Sequence, residues 1–580
     1  MPDNALIVKT PAARCRKPMA LWDAFIYNVL SMGIMFPWVY LWSSASFPGA
    51  NLSLALVLTF AAQVPISITY CFLATDLPWT AGDYIYQTFA FGKWGSLSVL
   101  TGFVVCILQW IALSGWLFAK LGIAPLLMCM GVRYDTPAIT RAGMAMQSPY
   151  GVLGTSIFIT FAAVCLLLRP FRSFVVIQRV LFLFALAGIT AMVATFLVPL
   201  SSQLVGNIND FVKILTQHLF SDVSPALKAD FVGFIEKDVR ASGGFERISF
   251  NLFSTLGAVP IMWTGFQWAT YSVEQNDEIC GAYKLRSQFI MLLGSAAFVA
   301  LLSIIACQSQ DSAIDPLFFP ACSQAYWNQV GSPKTVTFLR NVFQPFPSLI
   351  AMAATRNPVV MLIIAVGMMA NAFQITCNCL IGVGRIMMRM SEDAVLPRVF
   401  SPEKNGVSSQ ALHKAYMWYG FLSLPVIVAS CLMERWSEYT ASVTFGCSFV
   451  FFMSCLAATR LYSRRRPLLA NHADGRLTRR GFGVIAVAYL ATGSSGLMVV
   501  SYILIPQIGL SIGLSYAFLI TMALLGYGFC RRWQDSQARV WEPSINRTDD
   551  VLEPGLNDVL GSVLAPSAGS GSGPSTPEAV

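Results

Sequence analysis

Apolar runs of roughly span length alternate with short polar connections along most of the chain. They place helices near residues 19 to 47, 51 to 75, 95 to 119, 151 to 168, 172 to 199 and 249 to 272, and again near 287 to 307, 358 to 390, 412 to 432, 438 to 462, 482 to 504 and 509 to 530. The pattern predicts an all-α polytopic membrane protein of about twelve helices, and an even number puts both termini on one side. The opening Met1 to Lys17 is polar and leads into a run too long for the apolar core of a signal peptide, so the first span is expected to stay in the protein. Two connections are long, about Ser201 to Ile248 and Gln308 to Asn357, with room for short amphipathic helices. After Trp541 the chain turns polar and rich in Gly, Ser and Pro, a composition that cannot bury a core and predicts disorder.

Composition agrees with a lipid-facing surface. Of 580 residues, 56% are hydrophobic and 12% charged, against about 25% charged in ordinary globular domains. The net charge of +9 is not a nucleic-acid signature, because the basic residues sit in short clusters between apolar runs. Lys9, Arg14, Arg16 and Lys17 precede the first span; Lys93, Arg169 and Arg172 mark later turns. Arg385, Arg389, Arg398 and Lys404 lie between two spans, and Arg460, Arg464 to Arg466, Arg476, Arg479 and Arg480 crowd another connection. All fall on the side of the termini, which the positive-inside rule makes cytoplasmic. Most of the 14 cysteines lie in apolar runs as small hydrophobes, so no disulfide scaffold is implied, although Cys307 and Cys322 are candidates to pair.

Two spans are interrupted alike. The first carries Asn28, Ser31, Met32, Gly33, Ile34 and Pro37, and the sixth carries Gly257, Ala258, Pro260, Ile261, Met262, Trp263 and Gly265, with Gln267 just beyond. Gly and Pro at mid-membrane depth free backbone groups that must be buried in protein or used by a ligand. A kink accounts for either span alone. Two such spans five apart suit an inverted repeat of five plus five helices, in which paired broken helices mark the central site of a transporter. The chain then divides into a cytoplasmic segment (1–18), the first repeat and start of the second (19–272), the rest of the second (273–462), a basic loop with two further spans (463–530) and a cytoplasmic tail (531–580). In this reading a half-helix beginning near Ser31 to Gly33 aims amides at a carboxylate. Carbonyls near Ala258 to Met262 accept from an ammonium group.

Three segments resemble the amino acid permeases of the amino acid-polyamine-organocation superfamily. Pro78-Trp-Thr-Ala-Gly82-Asp83-Tyr84 is similar to the family's Pro-Arg-Ser-Gly-Gly-Asp-Tyr loop, and Gly265-Phe266-Gln267 with Glu274 to its Gly-Phe-Glu segment and the following Glu. Gly384-Arg385 through Asp393 to Pro397 is similar to its Arg-rich stretch ending Asp-Gly-Leu-Leu-Pro. The resemblance implies transport of an amino acid by alternating access. Gln267 stands where many members keep an acid, and span five has no Lys between Ser173 and Pro199, so the proton chemistry some relatives place there lacks its groups.

Asp23, Lys120 and Arg179 lie near span ends, where snorkelling accounts for them. The pocket is therefore expected to be nearly uncharged, which suits a zwitterion with a neutral side chain better than a polyamine or dibasic amino acid. Gln109, Asn371, Gln374, Thr376, Asn378, Ser442 and Thr444 are polar candidates, with interhelical hydrogen bonding as the alternative. Trp110, Trp263, Phe266 and Trp268 are candidate gates or simple aromatic packing. Asp83, Glu274, Arg385, Arg389 and Asp393 are candidates for a charge network that opens and closes on the inner side, with anchoring by the arginines as the alternative. Only His218, His413 and His472 are present, and there is no phosphate-binding Gly-rich motif, so a His-based metal site or catalytic triad inside the membrane and ATP-driven pumping lack material, and neither an enzyme nor a cofactor is expected. A non-transporting sensor or complex subunit on the same fold stays open, as does a proton or sodium as coupling ion, with Thr376 and Asn371 as candidate sodium ligands.

Overall fold

The computed structural model describes residues 17–34, 44–198, 201–219, 224–244, 250–393, 395–401, 408–432, 436–464 and 481–504. The expected twelfth span, the basic loop at 465–480, the tail and the side chain of Ser442 lie outside them. The first helix is α1 (Leu21–Met32), followed by α2 (Leu52–Asp76), the short α3 (Gly82–Phe91) and α4 (Lys93–Arg133), which is wound through two π-helical turns. Then come α5 (Pro137–Gln147), α6 (Pro149–Leu167) and α7 (Phe171–Leu197). The first long connection holds α8 (Ser201–His218) and α9 (Phe231–Ala241), with a short helical turn at Pro225–Ala229 between them. Span six is α10 (Leu252–Phe266), and α11 (Leu285–Ala313) follows it. The second long connection holds α12 (Phe318–Trp327), α13 (Pro333–Asn341) and α14 (Pro347–Ala354). The last described helices are α15 (Pro358–Glu392), α16 (Ser408–Leu432), α17 (Trp436–Arg464) and α18 (Gly481–Leu504).

Among the described residues nine helices are long and apolar enough to cross a bilayer, and the protein is a polytopic helical membrane protein. Large apolar side chains such as Phe158, Phe161, Leu183, Phe421 and Leu490 stand exposed on their outer faces, where lipid would cover them. Two helices fall short of a full crossing. At 1.5 Å per residue α1 is about 18 Å long and α10 about 22 Å, against a hydrocarbon core of about 30 Å.

The physical causes of the two short helices differ. Gly33 ends α1 in the left-handed region (φ 79°), its N–H returning to the Val29 carbonyl at 3.2 Å. That conformation is cheap only for glycine. The expected continuous run from 19 to 47 is thus cut at Met32. Span six does not break where Pro260 and Gly265 suggest: α10 runs unbroken through Pro260 to Phe266, and a 3₁₀ stretch follows from Gln267, kinked at Gln275 (φ −126°, ψ 21°), with a last turn ending at Glu278. Pro260 withholds one N–H, and the remaining helical bonds keep the rod intact.

At one end of the bundle α1 and span six are tied together. Met19 pairs with Ile279 in an isolated parallel bridge, the Cys280 amide donating to the Met19 carbonyl at 2.9 Å. Deeper, Asn28 donates to Ser272 Oγ and to the Met291 carbonyl, both at 2.9 Å, and accepts from the Ser272 amide at 2.8 Å. Elsewhere, α7 and α15 approach through glycines: a Cβ on Gly367 would lie 2.7 Å from Gly188 Cα. Small residues at such crossings let membrane helices pack without a water-driven force.

The opposite end is capped by the two long connections. Phe231 of α9 packs edge-on against Phe318, Phe338 and Phe343, and Asn207 of α8 donates to the Ala354 carbonyl at 2.7 Å. Asp23 and Arg179, expected to reach separately for the interface, instead form a bidentate pair at 2.6 and 2.9 Å. Among the described cysteines Cys280 is disulfide-bonded, while Cys307 and Cys322 are free buried thiols, so the pairing considered for those two is not made.

Candidate functional site

The end of α1 opens into a cavity in the middle of the bundle. Ser31, Met32, Gly33 and Ile34 line it from α1, Met262, Gly265, Phe266 and Trp268 from span six, and Trp110 from α4. Thr264, Ser303, Met192 and Ile189 also line it and were missed in the sequence. Thr264 sits inside the interrupted run between two residues that were noticed, while Ser303 is one small hydroxyl in an apolar span and gave no signal. No charged side chain appears among the described lining residues.

The remaining candidates point elsewhere. Trp263 is fully buried and donates from its indole to Gln63 Oε1 at 2.7 Å, bracing span six against α2. Gln267 accepts from Ser448 Oγ at 2.7 Å on α17. Asn371 donates to the Leu30 carbonyl at 3.1 Å, so it holds the end of α1 from behind. Thr376 donates to Ser114 Oγ at 2.9 Å on α4. Gln109 is half-buried with its Oε1 unpartnered among the described residues, and Ala258, Pro260 and Ile261 are buried on α10 outside the cavity lining.

Helix polarity changes the expected electrostatics. At Ser31 to Gly33 the described chain presents a helix C-terminus, so its free groups are carbonyls and its dipole end is negative. The amides expected to meet a carboxylate would belong to residues beyond Ile34, outside those described. Met32's carbonyl oxygen would lie 3.5 Å from a Cβ placed on Gly265, an ordinary contact distance. Gly265 is therefore open enough for alanine, and larger side chains would fill the cavity. The carbonyls of Ala258 to Met262 are held within α10 and are not exposed as an acceptor set.

A polar ladder fixes α1 in place. Ser31 Oγ donates to the Tyr27 carbonyl at 2.7 Å and accepts from Asn378 Nδ2 at 2.7 Å. Gln374 links Asn378 to Gln178, and Gln178 donates to the Asp23 carbonyl at 2.8 Å. Below the cavity Trp268 packs edge-on against Trp110, Tyr271 and Phe451, with Phe103 stacked on it. Trp268 Nε1 is a buried donor without an acceptor among the described residues.

Part of the expected charge network is present, since Arg389 lies 4.0 Å from Asp393, and new partners join it. Asp83 Oδ1 accepts from Tyr70 and from Ser454, both at 2.5 Å, and the Asp83 amide donates to Glu274 Oε1 at 3.2 Å. Tyr84 donates to Asp393 Oδ2 at 2.9 Å. Arg385 pairs with Glu278 at 2.9 Å, a partner the sequence did not suggest, and Arg389 with Glu392 at 2.8 Å. Through residues 83 and 84, α3 thus joins α2, span six, α15 and α17 at the end where α1 begins. Asp83, Tyr84, Glu274 and Asp393 are all buried there.

No family model matches the chain, and no curated protein matches it, so the resemblance to the amino acid permeases stands on its three segments alone. Among solved structures the chain is similar to a Na+-coupled sialic acid symporter in a substrate-bound outward-open state, at 11% identity over 85% of this chain and 90% of that one, with a TM-score of 0.40. It is also similar to a manganese transporter of Eremococcus coleocola, at 13% identity over 88% and 95% of the two chains, with a TM-score of 0.42. Likeness at this level decides nothing about what this chain does.

Proposed function

We propose that the protein is a secondary transporter that moves a small zwitterion, an amino acid with a neutral side chain, by alternating access across the cytoplasmic membrane. The observation that carries this reading is the uncharged cavity where α1 stops partway across the bundle against span six. The negative end of α1, with the Ser31 and Met32 carbonyls, attracts an ammonium group. The Thr264 hydroxyl lines the cavity as a donor for a carboxylate, and the Trp268 ring lines it with a buried Nε1 that has no acceptor among the described residues. A polyamine or dibasic amino acid would want a carboxylate in the lining, where the described residues offer none.

The test is uptake of a pooled set of labelled amino acids by the purified full chain in liposomes, with sodium and pH gradients imposed separately. Gly265→Leu serves as the control whose side chain enters the cavity. Uptake that the control abolishes supports the reading, and the gradient that drives it names the coupling ion. If no amino acid moves or binds under any gradient, the amino acid assignment fails and a non-transporting sensor becomes the better description.

A further inference from the structure

Asp83 and Glu274 come from different elements, α3 and the 3₁₀ stretch on the inner connection that follows α10, and both are fully buried. Their carboxyl groups lie within interaction reach of one another, and the Asp83 amide also donates to Glu274 Oε1. Each has one oxygen left over: Asp83 Oδ2 and Glu274 Oε2 are buried with no hydrogen-bond partner among the described residues. Two carboxylates cannot satisfy one another, because neither has a hydrogen to donate. One proton between them satisfies both.

Among the described residues no cation neutralises the pair. The groups facing it are Tyr70 of α2, Tyr86 of α3 itself, Tyr27 of α1, Tyr271 of the 3₁₀ stretch, and Ser454 and Cys455 of α17. All are neutral or acidic. The arginines of this end are occupied, Arg385 by Glu278 and Arg389 by Glu392. Two buried like charges without a counter-ion do not coexist, and one carboxyl takes a proton instead. The hydrogen bonds say which one: Asp83 Oδ1 accepts from two hydroxyls, as a carboxylate does, whereas Glu274 receives a single amide.

We propose that Asp83 and Glu274 form a proton-binding site, in which Glu274 Oε2–H donates to Asp83 Oδ2 while this end of the bundle is closed, and that opening hydrates the pair and releases the proton to water. On the transporter reading, each closure of this end takes up one proton, and transport is proton-coupled. The proton site itself stands without that reading. Burial, then the charge of Asp83, raises the Glu274 carboxyl well above its ordinary range, and burial raises Asp83 as well. Between the ordinary and the raised value, the closed-to-open ratio therefore falls about tenfold per pH unit as pH rises, the slope for one proton.

Infrared spectroscopy of the purified full chain tests the site. A protonated-carboxyl band is expected at neutral pH, lost in Glu274→Gln and kept, at a shifted frequency, in Asp83→Asn. Hydrogen exchange is the second measurement: protection of amides in 82–91 should fall about tenfold per pH unit in the wild type between the ordinary carboxyl value and the raised one and stay flat in Glu274→Gln. Absence of a Glu274-dependent band overturns the proposal, and so does a band that sodium removes at constant pH, which would assign the site to a metal cation. A band present in a protein that moves no substrate sinks the transporter reading and leaves the proton site. Uptake driven by a proton gradient without the band does the reverse.

Discussion

Asn378 Nδ2 donates to Ser31 Oγ at 2.7 Å, joining α15 to the last turn of α1 across 347 positions of chain. The same amide group reaches the Tyr27 carbonyl at 3.3 Å, and Tyr27 Oη donates to the Asn378 carbonyl at 3.1 Å. One residue of a continuous helix thus sets the position at which the interrupted helix ends. Replacing Asn378 by alanine removes the donor and leaves the buried Gln374 amide short of an acceptor. A loss of about 1–3 kcal/mol is expected, read as a lower melting temperature of the purified protein together with weaker substrate binding. An unchanged melting temperature would show that α1 is held by other contacts.

Gly265 faces the cavity with room for one methyl group, its nearest neighbour being the Met32 carbonyl oxygen. Gly265→Ala should keep uptake within a few-fold of wild type. Gly265→Leu should abolish uptake without unfolding the protein, as checked by size-exclusion chromatography and thermal melting. Equal uptake in both variants would place the substrate path elsewhere.

Trp263 and Trp268 are five residues apart in span six and carry different duties. Trp263→Phe loses the hydrogen bond to Gln63 and leaves that buried amide oxygen without its indole donor. The expected cost is about 1–3 kcal/mol of stability, with substrate selectivity unchanged. Trp268→Phe removes a buried indole N–H that has no acceptor among the described residues, on a ring that lines the cavity, so if a carboxylate meets that donor in transport the change should weaken binding of a zwitterion more than binding of the corresponding amine. Competition assays with the two ligands separate the cases, and identical shifts would count against a carboxylate at that donor.

Stability should depend on pH through Glu274. Its carboxyl is raised by burial and by the charge of Asp83, so the native state holds a proton that the unfolded chain gives up. That stability is fully present below the ordinary carboxyl pKa of about 4 and is lost as pH rises through the raised value. The melting temperature is expected to fall from mildly acidic to alkaline pH, and to fall less steeply in Glu274→Gln. A wild-type melting temperature that climbs over this window would contradict the assignment.

Gly367 and Gly188 bring α7 and α15 into backbone contact. Gly367→Val would drive its side chain into the Gly188 Cα and the Phe184 carbonyl, both rigid. A destabilisation of about 1–3 kcal/mol or more is expected from overpacking, measurable by thermal melting, whereas Gly483→Ala in open space is the neutral comparison.

The alternation of apolar runs and polar connections by itself determined that the chain is a bundle of membrane-crossing helices, because burying backbone groups in lipid leaves few other solutions. Gly33 was legible as a helix end, since a glycine amid apolar residues at mid-depth is where a left-handed turn costs least. Composition marked span six as unusual. Only the tertiary structure decided that Pro260 leaves its helix intact, because neighbouring hydrogen bonds and packing outweigh one missing N–H. The direction of α1 at its break, and so the sign of its dipole facing the cavity, also waited on the fold. The partner of each polar side chain did too: Trp263 finds Gln63, Asn371 finds Leu30, Thr376 finds Ser114 and Arg385 finds Glu278. Spacing along one chain says that such groups are buried, and which buried group meets which is set by how helices far apart in sequence pack. The adjacency of Asp83 and Glu274, 191 positions apart, is a property of that packing, and it turns two acids read as members of a charge network into a pair that shares a proton.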